Sequence, residues 1–271
     1  MSSPATRPST LRGALGLMSA RLVLEQIGLA LLVLLLAGLW LRMPDASWLD
    51  VVGSAVLALI AIAVAGAGES TLMLRLAARE RTPGRLLRGT LLLLAGAALW
   101  FGWCALVDHL HGNDPLRAGY LNSRFPHQLR NFFSYEHILR WLGWMWMALE
   151  WIAAGVIAVF VFACTASSRP MRAAGCALRF VAYWIALVLG AAAATAITGL
   201  LVDWTPGHGL RVEMMSLVLR LAAAVLVDAV VACLLLAILA MCVRRGDDAE
   251  EIHSTPAGTP DESQPRRVEN P

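Results

Sequence analysis

Apolar residues follow one another along this chain in long runs, without the alternation of a half-buried strand or the narrow stripe of a surface helix. A membrane-spanning helix needs about 20 mostly apolar residues, because the hydrocarbon core of a bilayer is about 30 Å thick. Six stretches have this length, at about residues 22–41, 48–68, 86–107, 138–165, 174–202 and 214–243. The pattern predicts an all-α, polytopic membrane protein built as a bundle of six transmembrane helices.

The segments outside the spans are short and polar. Residues 1–20 form an arm, which precedes the transmembrane domain at 21–243 and can form an interfacial helix in its second half. The first span is too long for the apolar core of a signal peptide, so we expect it to be retained. Residues 109–137 form the one sizeable loop. Residues 244–271 are acidic and rich in proline, which predicts a disordered tail.

Arginines predict how the bundle is oriented. The N-terminal segment through Arg21, the segments Arg75–Arg88 and Arg169–Arg179 and the pair Arg244–Arg245 carry 13 arginines, whereas the opposite side carries 6. Loops rich in basic residues remain in the cytoplasm, so we expect both termini there and the 109–137 loop outside. Trp40, Trp48, Trp100 and Trp141 lie near the predicted outer interface, where indole rings are favoured.

Composition supports a membrane location. The chain is 58% hydrophobic and 15% charged, whereas soluble domains are about a quarter charged. All 22 basic residues are arginine, which is typical of GC-rich bacterial coding and favours a bacterial inner membrane. These arginines form no stripe with aromatic residues, so nucleic-acid binding is not expected. The five cysteines include no CxxC pair, which argues against a disulfide framework or a thiolate zinc site.

The fifth span carries small residues at helical spacing. Ala186, Gly190, Ala194 and Thr198 fall on one face, where they allow another helix to approach closely. We therefore expect this span to lie at the centre of the bundle.

Two acids fall near the middle of predicted spans, Glu150 in the fourth and Asp228 in the sixth. Carboxylates at this depth are costly, so they face the bundle interior, find a partner or become protonated. Arg220 is eight residues from Asp228, about 12 Å along a helix, and cannot pair with it directly. These residues are candidates for proton-coupled transport; the alternative is that each acid is neutral and bonds to a neighbouring helix.

The stretch Asp108–Asp114, "DHLHGND", concentrates histidines and acids on the outer side. Imidazole and carboxylate groups bind zinc and other divalent metals. The candidate ligands are Asp108, His109, His111, Asp114 and, from a later loop, His208. The alternative is an ordinary helix end and turn, since His109 and His111 diverge by about 200° on a continuous helix.

No phosphate-binding, dinucleotide-binding, nucleophile-elbow or haem-attachment motif is present. The lack of catalytic motifs favours a binding or assembly component of a membrane complex, with other subunits or a second copy as its partner. One alternative is a small proton-coupled transporter or channel that uses Glu150 and Asp228. A second alternative is a periplasm-facing metal binder or metal-dependent enzyme at His109 and His111.

Overall fold

The computed structural model describes residues 10–43, 47–126, 132–203 and 209–254. Within these ranges all long elements are α-helices. They are α1 (Thr10–Leu17), α2 (Ala20–Leu41), α3 (Trp48–Leu76), α4 (Pro83–His111), α5 (Asp114–Arg124), α6 (Tyr135–Ala166), α7 (Pro170–Leu178), α8 (Val181–Asp203) and α9 (Leu210–Ser254).

Five of these helices, α2, α3, α4, α6 and α9, are long and apolar enough to cross a membrane. The bent pair α7–α8 brings the number of possible crossings to six if it counts as one span. The prediction of an all-helical chain with several membrane-spanning helices is confirmed at this level, and it indicates a multi-pass membrane protein.

The fifth predicted span is not one continuous helix from residue 174. It is divided between α7 and α8, whose axes differ by 69°. Arg172 lies within α7 and Arg179 follows its last residue, whereas α8 from Val181 onward is apolar. The indole of Trp184 donates a hydrogen bond of 2.8 Å to the carbonyl of Leu178, one of the terminal carbonyls that the break leaves without a helical partner.

The prediction of a loop over residues 109–137 is wrong for its middle part, which forms α5. This helix packs against α6. In its last turn, Asn122 donates a hydrogen bond of 2.8 Å to the carbonyl of Phe133. The rings of Phe125 and Phe133 stack with their centroids 4.6 Å apart. The two ends of the remaining loop are therefore held together.

The C-terminal segment contains more helix than expected, and the helix of the arm is packed against the bundle. The predicted disordered tail begins at residue 244, but α9 continues to Ser254; residues 255–271 lie outside the described residues. Alanine and glutamate in this stretch favour helix. In the arm, α1 packs against α9, and Ala14 is fully buried. A β-carbon at Gly13 would lie 2.7 Å from the Met241 methyl carbon.

The packed core lies at one end of the bundle. We call this the arginine-rich end. Helices α3 and α6 end there, and Arg244 of α9 lies there. The core joins the C-terminal halves of α3, α6 and α9 with α7 and the start of α8. Its largest fully buried side chains include Leu74, Phe162, Tyr183 and Ile238. At the opposite end many large apolar side chains are exposed, Trp48, Leu49, Phe101 and Trp141 among them.

Glycines let α4 fit closely between α3 and α6. A β-carbon at Gly89 would lie 2.6 Å from the Ser70 hydroxyl oxygen on α3 and 2.9 Å from the Thr165 methyl on α6. One at Gly96 would lie 2.8 Å from a Val161 methyl. All three separations are shorter than van der Waals contact, so a side chain at Gly89 or Gly96 would push α4 away from its neighbours.

The expectation that the fifth span occupies the centre of the bundle is wrong. Its helix, α8, packs mainly against α9, and α6 and α9 contact more of the other helices. The small-residue face does mediate packing, since a β-carbon at Gly190 would lie 2.5 Å from a Val231 methyl. Ala186 is buried and Ala194 half-buried, while the side chain of Thr198 lies outside the described residues.

Candidate functional site

Asp114 is the most fully buried acid in the described part of the chain, with 1% of its surface exposed. One carboxylate oxygen accepts a hydrogen bond of 2.7 Å from the Trp146 indole and lies 2.9 Å from the His111 Nδ1. The other oxygen accepts a bond of 3.1 Å from Arg117. Arg117 also lies over the Trp146 ring and donates to the Leu110 carbonyl. This arrangement attaches the start of α5 to α6.

The predicted metal ligands are only partly brought together. His111 and Asp114 are in contact, whereas Asp108 and His109 are exposed near the end of α4. His208 lies outside the described residues. Within the residues that the structure describes, no group of three or more His, Cys, Asp or Glu side chains is placed to hold a metal ion. Donors from protein side chains occupy both oxygens of Asp114, and the metal hypothesis remains a prediction.

Glu150 lies in the middle of α6 and is half-buried. Its carboxylate is within electrostatic range of the Cys104 thiol on α4. Among the described residues no hydrogen bond or ion pair connects Glu150 with Asp228 or Arg220. Because of its proximity to Cys104, Glu150 lies on the part of α6 that is near α4.

Asp228 has a different environment, because it is exposed on α9. On the same face of α9, Leu221 two turns earlier is 52% exposed and Val231 is half-buried, so the carboxylate lies within a partly open apolar surface. No partner for this carboxylate is found among the residues described here. Arg220 is half-buried two turns earlier, about 12 Å away along the axis.

The first half of α9, residues 210–230, is open on most sides; we call it the outer half of α9. Two of its described side chains, Ser216 and Ala229, are buried. The exposed side chains are large and apolar, and they include Met214, Met215, Leu217, Val218, Leu219 and Leu221. The second half of α9 is by contrast part of the packed core.

A groove of about 540 Å³ lies between α8 and α9 next to Asp228. Its lining is entirely apolar or glycine and includes Ile185, Ala186, Leu189, Gly190, Ala193 and Val231. Asp228 precedes Val231 by three residues, so it lies within one helical turn of the groove. The exposed acid and the small-residue groove are thus parts of one surface.

Sequence reasoning missed the role of arginines at the arginine-rich end. Their distribution in the sequence indicates only membrane orientation, but three of them also connect helices. Arg79 donates a hydrogen bond of 3.1 Å to the Ala166 carbonyl at the end of α6, and Arg244 one of 2.6 Å to the Leu76 carbonyl at the end of α3. Arg75 pairs with Glu25 of α2. Terminal helix carbonyls are suitable acceptors for such cations, but only the folded chain identifies which arginine reaches which helix.

Comparison of the chain with protein-family models, curated proteins and solved structures finds no match.

Proposed function

We propose that this chain is a non-catalytic subunit of a bacterial inner-membrane complex, and that the outer half of α9 binds a transmembrane helix of another subunit. The observation that carries the proposal is the exposed Asp228 in an apolar surface. Acids within membrane-spanning segments almost always face a protein interior, a cavity or a partner. A helix that brings a cationic side chain, an amide or a hydroxyl to Asp228 would supply that partner.

The neighbouring groove supports the same proposal. Small residues allow helix backbones to approach closely, and membrane helices associate through such packing and through interhelical hydrogen bonds. Gly190 and Ala193 line the groove beside Asp228. A partner helix placed there would bury apolar surface of α9 and satisfy the carboxylate in one contact.

The transport alternative requires Glu150 and Asp228 to share one polar path. Glu150 is half-buried near Cys104 of α4, whereas Asp228 is exposed on α9. The two acids therefore have different neighbours and different exposure. This difference favours helix binding at Asp228 over a shared proton path.

Site-specific photocrosslinking in intact membranes tests the proposal. A photoreactive residue at Leu221, which is exposed two turns before Asp228 on the same face, should form one discrete adduct with another membrane protein. Asp228→Leu should reduce this adduct by about threefold to tenfold, the range expected for one interhelical hydrogen bond in a membrane. Asp228→Asn, which keeps a polar group, should reduce it less.

The matched control is a photoreactive residue at Leu59, which is 65% exposed on α3. We expect no discrete adduct from that position. An adduct from Leu221 that persists unchanged in Asp228→Leu would contradict the proposed role of the acid. An adduct of twice the mass of the chain would show that the partner is a second copy, in place of another subunit.

A further inference from the structure

A cavity of about 560 Å³ opens between α2 and α3 at the arginine-rich end. Its polar lining consists of Arg21, Glu25, Thr71, Arg75 and Arg81. Three guanidinium groups and one carboxylate leave an excess of positive charge. This cavity is separate from the surface around Asp228.

The remaining lining of the cavity is apolar and consists of Leu29, Ala67, Gly68 and Leu72. A β-carbon at Gly68 would lie 2.5 Å from a Leu29 methyl, so α2 and α3 touch at this point. That contact closes the cavity on its apolar side. The arginines therefore occupy the part nearer the helix ends, and the apolar residues the part nearer the middle of the bundle.

The charges of the cavity are partly neutralised from within. Glu25 accepts a hydrogen bond of 3.0 Å from Arg21 and pairs also with Arg75. The nearby acid Glu69 accepts a bond of 2.6 Å from Gln26 and does not line the cavity. Arg81 is exposed at the cavity, and no acid among the described residues pairs with it. Among the described residues, Glu25 is thus the acid that competes for the guanidinium groups of the lining.

We propose that this cavity binds the headgroup of an anionic phospholipid. Arginine recognises phosphate oxygens through paired, charge-assisted hydrogen bonds. Basic pockets between transmembrane helices near the membrane surface bind anionic headgroups in this way. A ligand that satisfies both the arginines and the apolar lining must itself be amphiphilic, which favours a phospholipid over free phosphate.

Native mass spectrometry of the full-length protein in detergent tests this site. The protein is titrated with phosphatidylglycerol, with phosphatidylcholine of the same acyl chains, or with inorganic phosphate. We expect preferential retention of phosphatidylglycerol. Arg81→Gln and Arg75→Gln should each weaken it about fivefold, as expected for the loss of one arginine near an anionic headgroup.

Glu25→Gln gives the decisive result, because its predicted effect has the opposite sign. Removal of this carboxylate releases Arg21 and Arg75, so retention of phosphatidylglycerol should increase. If Glu25 served only to hold α2 against α3, Glu25→Gln would weaken or leave unchanged the binding, and the proposal would be overturned.

Arg88→Gln is the matched control, since Arg88 is exposed near the start of α4 and does not line the cavity. This variant should retain phosphatidylglycerol as strongly as the parent protein does. An equal loss in Arg88→Gln and Arg81→Gln would show general attraction to a basic surface and would overturn the proposal. Displacement of the lipid by inorganic phosphate at equal concentration would assign the site to free phosphate, with the same consequence.

Discussion

Asp114 shows how one residue can resemble a metal ligand in sequence and serve as an anchor in the fold. Its carboxylate is 1% exposed and contacts Trp146, Arg117 and His111. Hydrogen bonds to a charged group contribute about 1.5–3 kcal/mol each, and loss of the acceptor removes the bonds from Trp146 and Arg117 together. We expect Asp114→Ala to lower the free energy of unfolding by at least about 2 kcal/mol.

Denaturant titration of the protein in detergent measures this loss, and the rate of proteolytic cleavage within α5 shows where it occurs. Asp108→Ala is the control, because Asp108 is exposed three residues before His111. That change should stay within about 0.5 kcal/mol of the parent protein. Equal losses in the two variants would mean that Asp114 does not anchor α5.

At the scale of the elements, the position of α4 depends on glycine. Gly89 touches α3 and α6, whereas a β-carbon at Gly102 on the same helix would meet nothing within 4 Å. Gly89→Leu should therefore separate the helices and cost about 1–3 kcal/mol, as overpacking of a core does. Gly102→Leu should change stability by no more than about 0.5 kcal/mol.

Thermal unfolding of the two leucine variants under the same detergent conditions makes the comparison. The variants share host helix, substitution and added volume, so a difference between them reports the local contact. If Gly102→Leu is the more damaging of the two, the packing of α4 described here is incorrect.

The same elements show what the sequence can and cannot predict. Long apolar runs predict the membrane-spanning helices well, because the thickness of the bilayer fixes their length. The sequence does not predict α5, whose anchor at Trp146 lies 32 residues from Asp114. Nor does it predict that Asp228 is exposed while Glu150 is half-buried, because a helix that is apolar on all sides does not indicate which face packs against a neighbour. Such contacts depend on which helices become neighbours.

At the scale of the whole molecule, packing is uneven along the bundle. The buried core and the connecting arginines lie at one end, and the outer half of α9 and much of α2 and α3 are open. In a membrane, lipid or another helix covers such exposed apolar side chains. If a partner helix binds as we propose, it binds at the open end.

The number of membrane crossings depends on whether α8 spans the bilayer. This helix has 23 residues, about 35 Å at 1.5 Å per residue, which exceeds the hydrocarbon thickness. It runs antiparallel to α9, with Gly190 against Val231, and so leads away from the arginine-rich end. We therefore expect the bent pair to cross the membrane once, with both termini in the cytoplasm.

Reporter enzymes that are active only outside the cytoplasm should be active when fused after Gly112 or Gly209, and inactive when fused after Ser167 or Ser254. If fusions after Ser167 and Gly209 behave alike, α8 does not cross, the crossings are odd in number and the two termini lie on opposite sides. The groove beside Asp228 would then lack a membrane-spanning wall, because α8 forms most of its lining and would stay on the side where α9 begins.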